Sequence, residues 1–419
     1  MVARIKYIYK SLMGDSLYSN SIYLMLSTGI MAFFGFFFWI VNARLFTPEQ
    51  VGIATTLISV AGLISALSVL GLNMGLVKYL PHSDNKNSKI NSSLNINAIV
   101  SVLLTIIFLI ELKFFSPKLL FLNSNIFYVV SFILFVVVGS VGAITDSAFL
   151  SYRSAKYILL KNSIFSVVKL ILTVFLVAFG AYGIYISLGI GSIVAFLLSI
   201  FLLIYNFNYQ YKLEINLERI KKMASFSFGN YVAGFIAGFP SMILPIIITN
   251  KIDPQSTAYF YMAMMIATLI FTIPQATTQS LFVEGSHSEE EMKDHIKKAV
   301  KIISLILVPT VIITLLFGDK ILLVFGKSYA LEASTFLKLL VVSSVFISIN
   351  SVLGTILKVK NKIKELIVAC TINTVVVLSL SYLFIETKLL GIGIAWVIGQ
   401  AVTSGVYLYI LRFRNNLSN

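Results

Sequence analysis

Long stretches without charged residues are the feature that most constrains this chain. About a dozen such stretches, each of roughly 18 to 25 mostly apolar residues, run from Tyr18 to about Leu411 between short charged connectors. The hydrocarbon core of a bilayer is about 30 Å thick, and a helix needs about 20 residues to cross it. Hydrophobic residues make up 58% of the chain and charged residues 12%, with a mean hydropathy of +0.93. This composition does not suit a water-exposed surface, so we predict an all-α polytopic membrane protein.

The hydropathy pattern predicts about twelve membrane-spanning helices. Their predicted bounds are 18–42, 50–72, 92–112, 124–148, 157–179, 182–205, 224–248, 256–281, 298–317, 331–357, 363–385 and 388–411. The first stretch is too long for a signal-peptide core and lacks its cleavage pattern, so we expect a retained helix. Twelve spans place both termini on the same side of the membrane.

Lysine and arginine are distributed unevenly among the connectors. The N-terminus, the C-terminus and every second connector hold 23 of the 32 lysines and arginines, whereas the remaining connectors hold seven. Positively charged loops stay in the cytoplasm, so both termini are predicted to be cytoplasmic. The same distribution explains the net charge of +15. Because the basic residues form no continuous patch, we predict no nucleic-acid partner.

Residues that bind metals or form disulfides are scarce. Cys370 is the only cysteine and lies inside a predicted span, so no disulfide or cysteine metal site is expected. His82, His287 and His295 have no metal-ligand spacing, and the acidic run 289–291 is predicted to be a solvated helical turn. The sequence therefore predicts neither a metal nor a cofactor.

Two segments about half a chain length apart resemble each other. TPEQVGIATTLIS at 47–59 opens span two, and DPQSTAYFYMAMM at 253–265 opens span eight. Thr47 and Asp253 are predicted N-caps, and the proline that follows each suits the first helical position. The similarity indicates an internal repeat.

A second pair of similar segments supports the repeat. FFSPKLLFLNS at 114–124 precedes span four, and LFGDKILLVFGKS at 316–328 precedes span ten. We predict two pseudo-repeated six-helix bundles, 1–205 and 224–419, joined by a cytoplasmic connector at 206–223 and facing each other across a central cavity.

Charged residues inside spans are costly in hydrocarbon and therefore mark candidate sites. Lys169 lies well inside span five, and we expect it to have a buried partner or to face an anion. Lys338 lies near the outer end of span ten, where snorkelling to the interface is the alternative. Asp146 is the predicted ion-pair partner of Lys169, and direct handling of substrate or protons by either residue is the alternative.

Span seven and span eight carry further polar and helix-breaking residues. Their predicted hinge positions are Gly234, Gly238, Pro240, Pro245 and Pro274. Gln275 and Gln279 lie one turn apart on one face of span eight. Aligning the two repeats makes Lys78 and Glu284 equivalent, which predicts a breakable ion pair at an inner gate; two unrelated interfacial charges are the alternative.

Four segments of this chain resemble the polysaccharide and oligosaccharidyl-lipid transporters. They are NARLFTPEQVGIATTLIS at 42–59, GLNMGLVKYL at 71–80, IDPQSTAYFYMAMMIATLIFTIPQATTQSLFVEGS at 252–286 and LFGDKILLVFGKSYALEASTFLKLL at 316–340. The resemblance is to the Wzx-type O-antigen flippases, within the superfamily that also contains multidrug and toxin extruders and lipid II flippases. Lipid II flippases usually have additional spans, so twelve spans favour another subgroup.

The resemblance implies a V-shaped, alternating-access transporter in a prokaryotic plasma membrane. Its implied substrate is a polyprenyl-diphosphate-linked oligosaccharide, moved from the cytoplasmic to the outer leaflet, with a proton or sodium ion as the coupling partner to test. A wet, positively biased path that opens to lipid would suit this substrate. The residues we place near that path are the cations Lys169, Lys338 and Arg44 and the glycan-facing Gln275, Gln279 and Asn230.

Two other functional classes fit the hydrophobic profile. A drug or cation antiporter would need a buried carboxylate that exchanges a proton or sodium ion, yet span one has no acid and the intramembrane charges favour lysine. A membrane glycosyltransferase or polymerase would need acids presented in sizeable loops, and the predicted outer connectors are short. The transporter of lipid-linked glycans is therefore the preferred hypothesis, and no enzyme activity is expected.

Overall fold

The computed structural model describes residues 16–287 and 292–413. Within these ranges the regular structure is helical, with fourteen α-helices and three short 3-10 helices. The α-helices are α1 Ser16–Leu45, α2 Pro48–Val69, α3 Leu72–Tyr79, α4 Lys86–Ile110, α5 Leu112–Phe115, α6 Ile126–Ser151, α7 Ala155–Phe175, α8 Ala181–Phe207, α9 Leu217–Lys251, α10 Pro254–His287, α11 Met292–Leu323, α12 Lys327–Val359, α13 Ile363–Leu383 and α14 Lys388–Phe413. The 3-10 helices are Pro117–Ser124, Val177–Phe179 and Ile385–Thr387.

Twelve helices in the described part of the chain are long and apolar enough to cross a membrane. The prediction of twelve spans is therefore confirmed, and the protein is a multi-pass membrane protein. Large apolar side chains cover the outside of the helices; Met25 on α1 and Leu305 on α11, for example, are each 74% exposed. Lipid is the solvent in which such a surface is stable.

The starts of α2 and α10 follow the predicted capping chemistry. The Thr47 hydroxyl accepts from the backbone N–H of Gln50 at 3.2 Å, and the Gln50 side chain accepts from the backbone N–H of Thr47 at 3.1 Å. These two bonds form a capping box. A carboxylate oxygen of Asp253 accepts from the backbone N–H of Ser256 at 2.6 Å. Both predicted N-caps are confirmed.

A sharp turn separates α2 from the short helix α3. Leu70 and Gly71 have φ angles of 51° and 74°, a region that favours glycine. In the second half of the sequence, α10 instead continues without a break to His287. The two segments that the repeat makes equivalent therefore have different local structures.

The chain divides into two compact units. The first contains the chain up to Phe46 together with Val60–Tyr231, and the second contains Thr47–Ser59 together with the chain from Val232 onward. One unit boundary falls between α1 and α2, and the other two fall within α2 and α9. The predicted halves 1–205 and 224–419 were drawn at the connector and remain a prediction.

Each unit has a similar pattern of neighbouring helices. In the first unit α4 packs on α6, α6 on α8, and α7 on α8; in the second unit α11 packs on α12, α12 on α14, and α13 on α14. The first spanning helix α1 contacts α7, and the second unit's part of α9 contacts α13 through the Thr374 hydroxyl, which donates to the Ile236 carbonyl at 2.7 Å. The recurrence matches what an internal repeat of six spans predicts.

Small residues allow helices of the second unit to approach closely. A Cβ at Gly52, near the start of α2, would overlap the backbone carbonyl of Pro254 at the start of α10. One turn further along α2, the Thr56 hydroxyl lies 2.5 Å from that of Thr249, which lies 2.7 Å from that of Thr257. Residues 47–59 are thus held in the second unit by backbone contact and by hydroxyl groups.

The segment 208–216, between α8 and α9, is held along the polar start of α4. Asn87, Asn91 and Asn95 lie four residues apart on one face of α4. Their side-chain amides donate to the carbonyls of Asn208 at 3.4 Å, Gln210 at 3.0 Å, Lys212 at 3.1 Å and Glu214 at 3.0 Å. Four residues of α4 rise about 6 Å, and two residues of an extended chain span about 6.6 Å. The spacing of the asparagines on α4 therefore matches that of every second carbonyl in the segment.

Side chains of the segment strengthen this attachment. The hydroxyls of Tyr209 and Tyr211 donate to the side-chain oxygens of Asn91 at 2.5 Å and Asn95 at 3.0 Å, respectively. Burial raises the pKa of Tyr209 above its usual value, with a smaller contribution from Tyr211, so this phenol keeps its proton to a higher pH than an exposed tyrosine does. The hydroxyl of Ser88 donates to the carboxylate of Glu214. Residues 208–216, which make up half of the predicted connector 206–223, are therefore bound along α4.

Candidate functional site

The first unit contains a buried ion pair between Asp146 on α6 and Lys161 on α7. The Nζ of Lys161 lies 2.8 Å from Oδ1 of Asp146, and the side chains of Lys161 and Asp146 are 10% and 31% exposed. Asp146 lies five residues before the end of α6, and Lys161 six residues after the start of α7. At about 1.5 Å per residue, the two positions have nearly the same depth on either side of the α6–α7 turn.

The predicted ion pair between Asp146 and Lys169 is wrong. Lys169 lies eight residues beyond Lys161 on the same helix, about 12 Å deeper, and is therefore far from the level of Asp146. Its ammonium instead lies over two aromatic rings, 4.7 Å from the ring centre of Phe165 and 5.2 Å from that of Phe38. Lys169 is 6% exposed.

A cavity of about 290 Å³ lies beside the ion pair. Helices α1, α6, α7 and α8 contribute its lining, and small residues of α6 and α8 leave the space open. Its lining includes Gly139, Gly142, Ser192, Ala195, Ser199 and the two charged side chains. Phe165 also lines the cavity, and the ammonium of Lys169 lies 4.7 Å from the centre of its ring.

Two asparagines that sequence reasoning missed join α1 to α7. The amide of Asn162 donates to the hydroxyl of Ser27 at 2.9 Å, and the hydroxyl of Thr173 donates to the side-chain oxygen of Asn42 at 2.7 Å. An asparagine inside a predicted span is costly unless it is hydrogen-bonded, and this signal was present in the sequence. The bonds fix the face of α7 that carries Lys161 and Lys169.

The charges of this site fall into two classes. Asp146 and Lys161 neutralise each other, so their pair attracts neither a cation nor an anion strongly. Among the described residues, no carboxylate forms an ion pair with Lys169. Its positive charge is therefore available to attract an anion, and the surrounding apolar groups weaken that attraction less than water would.

The second unit contains a neutral polar network that sequence reasoning also missed. The amide of Asn350 on α12 donates to the side-chain oxygen of Gln400 on α14 at 2.9 Å, and the hydroxyl of Ser404 donates to Asn350 at 2.8 Å. The hydroxyl of Thr403 donates to Asn373 on α13 at 3.1 Å. These bonds join three neighbouring helices and satisfy polar groups inside the unit.

The other predicted substrate-binding residues do not line the cavity beside the ion pair. Their side chains are exposed on α1, α9, α10 and α12; these residues are Arg44, Asn230, Gln275, Gln279 and Lys338. Their roles remain predictions.

The predicted gate residues are both exposed. Lys78 lies on α3, beyond the turn after α2, and its ammonium is 5.5 Å from the ring centre of Tyr79. Glu284 lies near the end of α10. Lys78 belongs to the first unit and Glu284 to the second, so their pairing remains a prediction.

The predicted hinge residues lie inside continuous helices. Helix α9 runs through Pro240 and Pro245, and α10 runs through Pro274. A Cβ at Gly234 would meet no atom within 4 Å, and one at Gly238 would meet only the end of the Met242 side chain. Their role as hinges remains a prediction.

Comparisons with known proteins place this architecture in a family. A family model described as polysaccharide biosynthesis protein matches residues 41–334. A comparison with curated protein sequences gives no match.

Solved structures show the same fold at low sequence identity. The lipid II flippase MurJ in an inward closed conformation has a TM-score of 0.79 at 16% identity, over 93% of this chain and 87% of that one. An inward-facing multidrug resistance MATE family transporter of the MOP superfamily has a TM-score of 0.67 at 18% identity, over 94% of each chain. A MOP superfamily transporter from Pyrococcus furiosus has a TM-score of 0.56 at 17% identity, over 97% of each chain. The chain therefore belongs to the polysaccharide biosynthesis protein family and has the fold of MOP-superfamily transporters.

Proposed function

We propose that this protein flips a polyprenyl-diphosphate-linked oligosaccharide from the cytoplasmic to the outer leaflet of a prokaryotic plasma membrane. Membership of the polysaccharide biosynthesis family supports the substrate class. The single observation that carries the proposal is the ammonium of Lys169, buried inside the first unit against Phe38 and Phe165.

A diphosphate is the anion that this ammonium suits. A lysine near the centre of a spanning helix costs about 2.5–3.5 kcal/mol, and the faces of two phenylalanine rings offset part of that cost. Two opposite unit charges 4 Å apart attract by about 4 kcal/mol at an effective dielectric constant of 20. Binding of a diphosphate near Lys169 therefore offsets the free-energy cost of burying its ammonium in the substrate-free protein.

The topology that we infer suits the same substrate. The bias of lysine and arginine predicts that both termini and the connector 206–223 lie on the cytoplasmic side.

An antiporter of the multidrug type is the second candidate, because the fold also matches MATE transporters and Asp146 is a carboxylate inside a span. That mechanism needs a carboxylate that exchanges its cation during transport. Asp146 already has a cation, since Lys161 lies 2.8 Å away. The ion pair therefore favours the flippase over the antiporter.

Reconstitution distinguishes the two candidates. Purified protein is placed in liposomes that contain a fluorescent polyprenyl-diphosphate oligosaccharide, and an impermeant quencher reports how fast label crosses between leaflets. The proposal predicts rapid, protein-dependent crossing. Absence of crossing, together with a pH-driven or sodium-driven flux of an organic cation such as ethidium, would instead establish the antiporter.

A further inference from the structure

The second unit contains a polar cavity that the charged site of the first unit does not explain. Its volume is about 460 Å³, within the range of about 300–1,000 Å³ typical of small-molecule sites. Three parts of the chain line it: the start of α10, the first turns of α12, and the junction between the last 3-10 helix and α14. The positive-inside distribution predicts that all three lie at the outer surface.

The walls of the cavity carry hydrogen-bonding groups of every kind. Asp253 and Glu332 present carboxylates, Gln255 an amide, Thr335 a hydroxyl and Lys388 an ammonium. One oxygen of Asp253 already accepts from the backbone of Ser256, which fixes the carboxylate in place. Such a mixture of donors and acceptors matches a ligand with many hydroxyl groups.

Aromatic and leucine side chains complete the lining, among them Tyr259, Phe336, Leu331 and Leu390. Tyr259 and Phe336 are 8% and 1% exposed. Phe336 is stacked on Phe260 with ring centres 5.2 Å apart, and Tyr259 packs edge-on against Tyr329 at 5.3 Å. These two rings are therefore almost fully covered, and the apolar surface that a ligand can reach is offered by Leu331 and Leu390, which are 79% and 45% exposed.

Charge distinguishes among the three parts of a lipid-linked oligosaccharide. Two carboxylates against one ammonium give the cavity a net negative lining, which disfavours the diphosphate. Its polar walls disfavour the polyprenyl chain. A sugar, neutral or carrying an amine, combines hydroxyls with an apolar ring face and suits both the polar and the apolar parts of this lining.

We propose that this cavity binds a sugar unit of the translocated glycan at the outer surface. The inference rests on the proposed function, because that function supplies the glycan. It divides recognition between two places: the buried ammonium of Lys169 attracts the diphosphate, and the cavity around Glu332 binds sugar.

Binding of the free glycan tests the cavity separately from transport. The probe is the oligosaccharide released by mild acid from the polyprenyl-diphosphate lipids of the cells that make this protein. We measure its binding to purified protein by titration calorimetry. Glu332→Gln and Thr335→Val are each expected to weaken binding about tenfold, equivalent to about 1.4 kcal/mol.

Glu386→Gln is the matched control, because Glu386 is exposed in the adjacent 3-10 helix and does not line the cavity. It is expected to bind like the parent protein. No binding by the parent, or equal binding by Glu332→Gln, would overturn the proposal.

A transport measurement distinguishes an error in the sugar-binding proposal from an error in the proposed function. Liposomes receive either the lipid-linked oligosaccharide or the same polyprenyl diphosphate without glycan. Glu332→Gln is expected to slow crossing of the first lipid and not of the second. Equal crossing rates in Glu332→Gln and parent would overturn the cavity's role, even if free sugar binds there. Crossing of neither lipid by the parent would overturn the proposed function itself.

Discussion

At the scale of single residues, Asp146, Lys161 and Lys169 differ in how their charge is compensated. Asp146 and Lys161 compensate each other directly at 2.8 Å. The ammonium of Lys169 is stabilised by the rings of Phe38 and Phe165. Removing one charge is therefore expected to destabilise the protein at the ion pair but not at Lys169.

Removing one member of the ion pair should destabilise the protein. Asp146→Asn leaves the ammonium of Lys161 buried and uncompensated, and such changes cost about 3–5 kcal/mol. Thermal unfolding of purified protein in detergent measures the effect. The double variant Asp146→Asn with Lys161→Met should recover most of the loss, because no buried charge remains.

The exposed pair Asp294–Lys297 provides the control. Its atoms lie 3.3 Å apart, but the side chains are 71% and 79% exposed. Asp294→Asn should change the stability by no more than about 1 kcal/mol. An equal loss in Asp146→Asn and Asp294→Asn would contradict the account of the buried pair.

At the scale of helices, close backbone contacts and polar ladders determine which elements pack together. The approach of Gly52 to the Pro254 carbonyl holds the start of α2 in the second unit. The ladder of asparagines on α4 binds the segment 208–216. Both features involve backbone atoms, which cannot shift as easily as side chains.

Gly52→Ala should reduce the stability of the fold. Its new Cβ would overlap backbone atoms of Pro254, and overpacking of this kind costs about 1–3 kcal/mol or more. Gly62→Ala on the same helix is the control, since a Cβ there meets no atom within 4 Å. Melting temperatures by size-exclusion fluorescence should fall for the first variant only. A normal melting temperature for Gly52→Ala would show that the contact is looser than described.

Removing the asparagine amides should release the segment 208–216 from α4. Asn91→Ala with Asn95→Ala eliminates the side-chain bonds to Gln210, Lys212 and Glu214. Trypsin should then cleave after Lys212 several-fold faster than in the parent protein, as followed by mass spectrometry. In the control Asn123→Ala, the lost amide bond is to Leu109, so cleavage should not change. Unchanged cleavage in the double variant would exclude the ladder as the attachment.

At the scale of the whole molecule, the hydropathy pattern and the charged connectors predict the number of spans. The residue types before α2 and α10 predict the N-caps Thr47 and Asp253. Both predictions depend on local sequence only. The partner of Asp146 was predicted incorrectly, because Lys161 was counted among the connector charges and only Lys169 was considered as a charge inside span five. Helix α7 begins at Ala155, and this start brings Lys161 rather than Lys169 level with Asp146.

The networks around Asn42 and Asn350 were missed for another reason. A sequence shows that a polar residue lies inside a span, but the partner of Asn350, Gln400, is 50 residues away. Packing of non-neighbouring helices determines such pairs. The polar cavity of the second unit likewise forms only when three separate chain segments meet.

The most direct test of the central claim is the rate at which a Lys169→Met variant moves the fluorescent polyprenyl-diphosphate oligosaccharide across liposome membranes. Lys320→Met is the matched control, because its ammonium also lies near a phenylalanine, 5.2 Å from the ring centre of Phe317, but the side chain is exposed. The account predicts at least about a tenfold slower rate for Lys169→Met, with an undiminished melting temperature since a buried charge is removed. Lys169→Arg should keep much of the rate, and Lys320→Met all of it. A parental rate for Lys169→Met would contradict the assignment of the diphosphate to this buried ammonium.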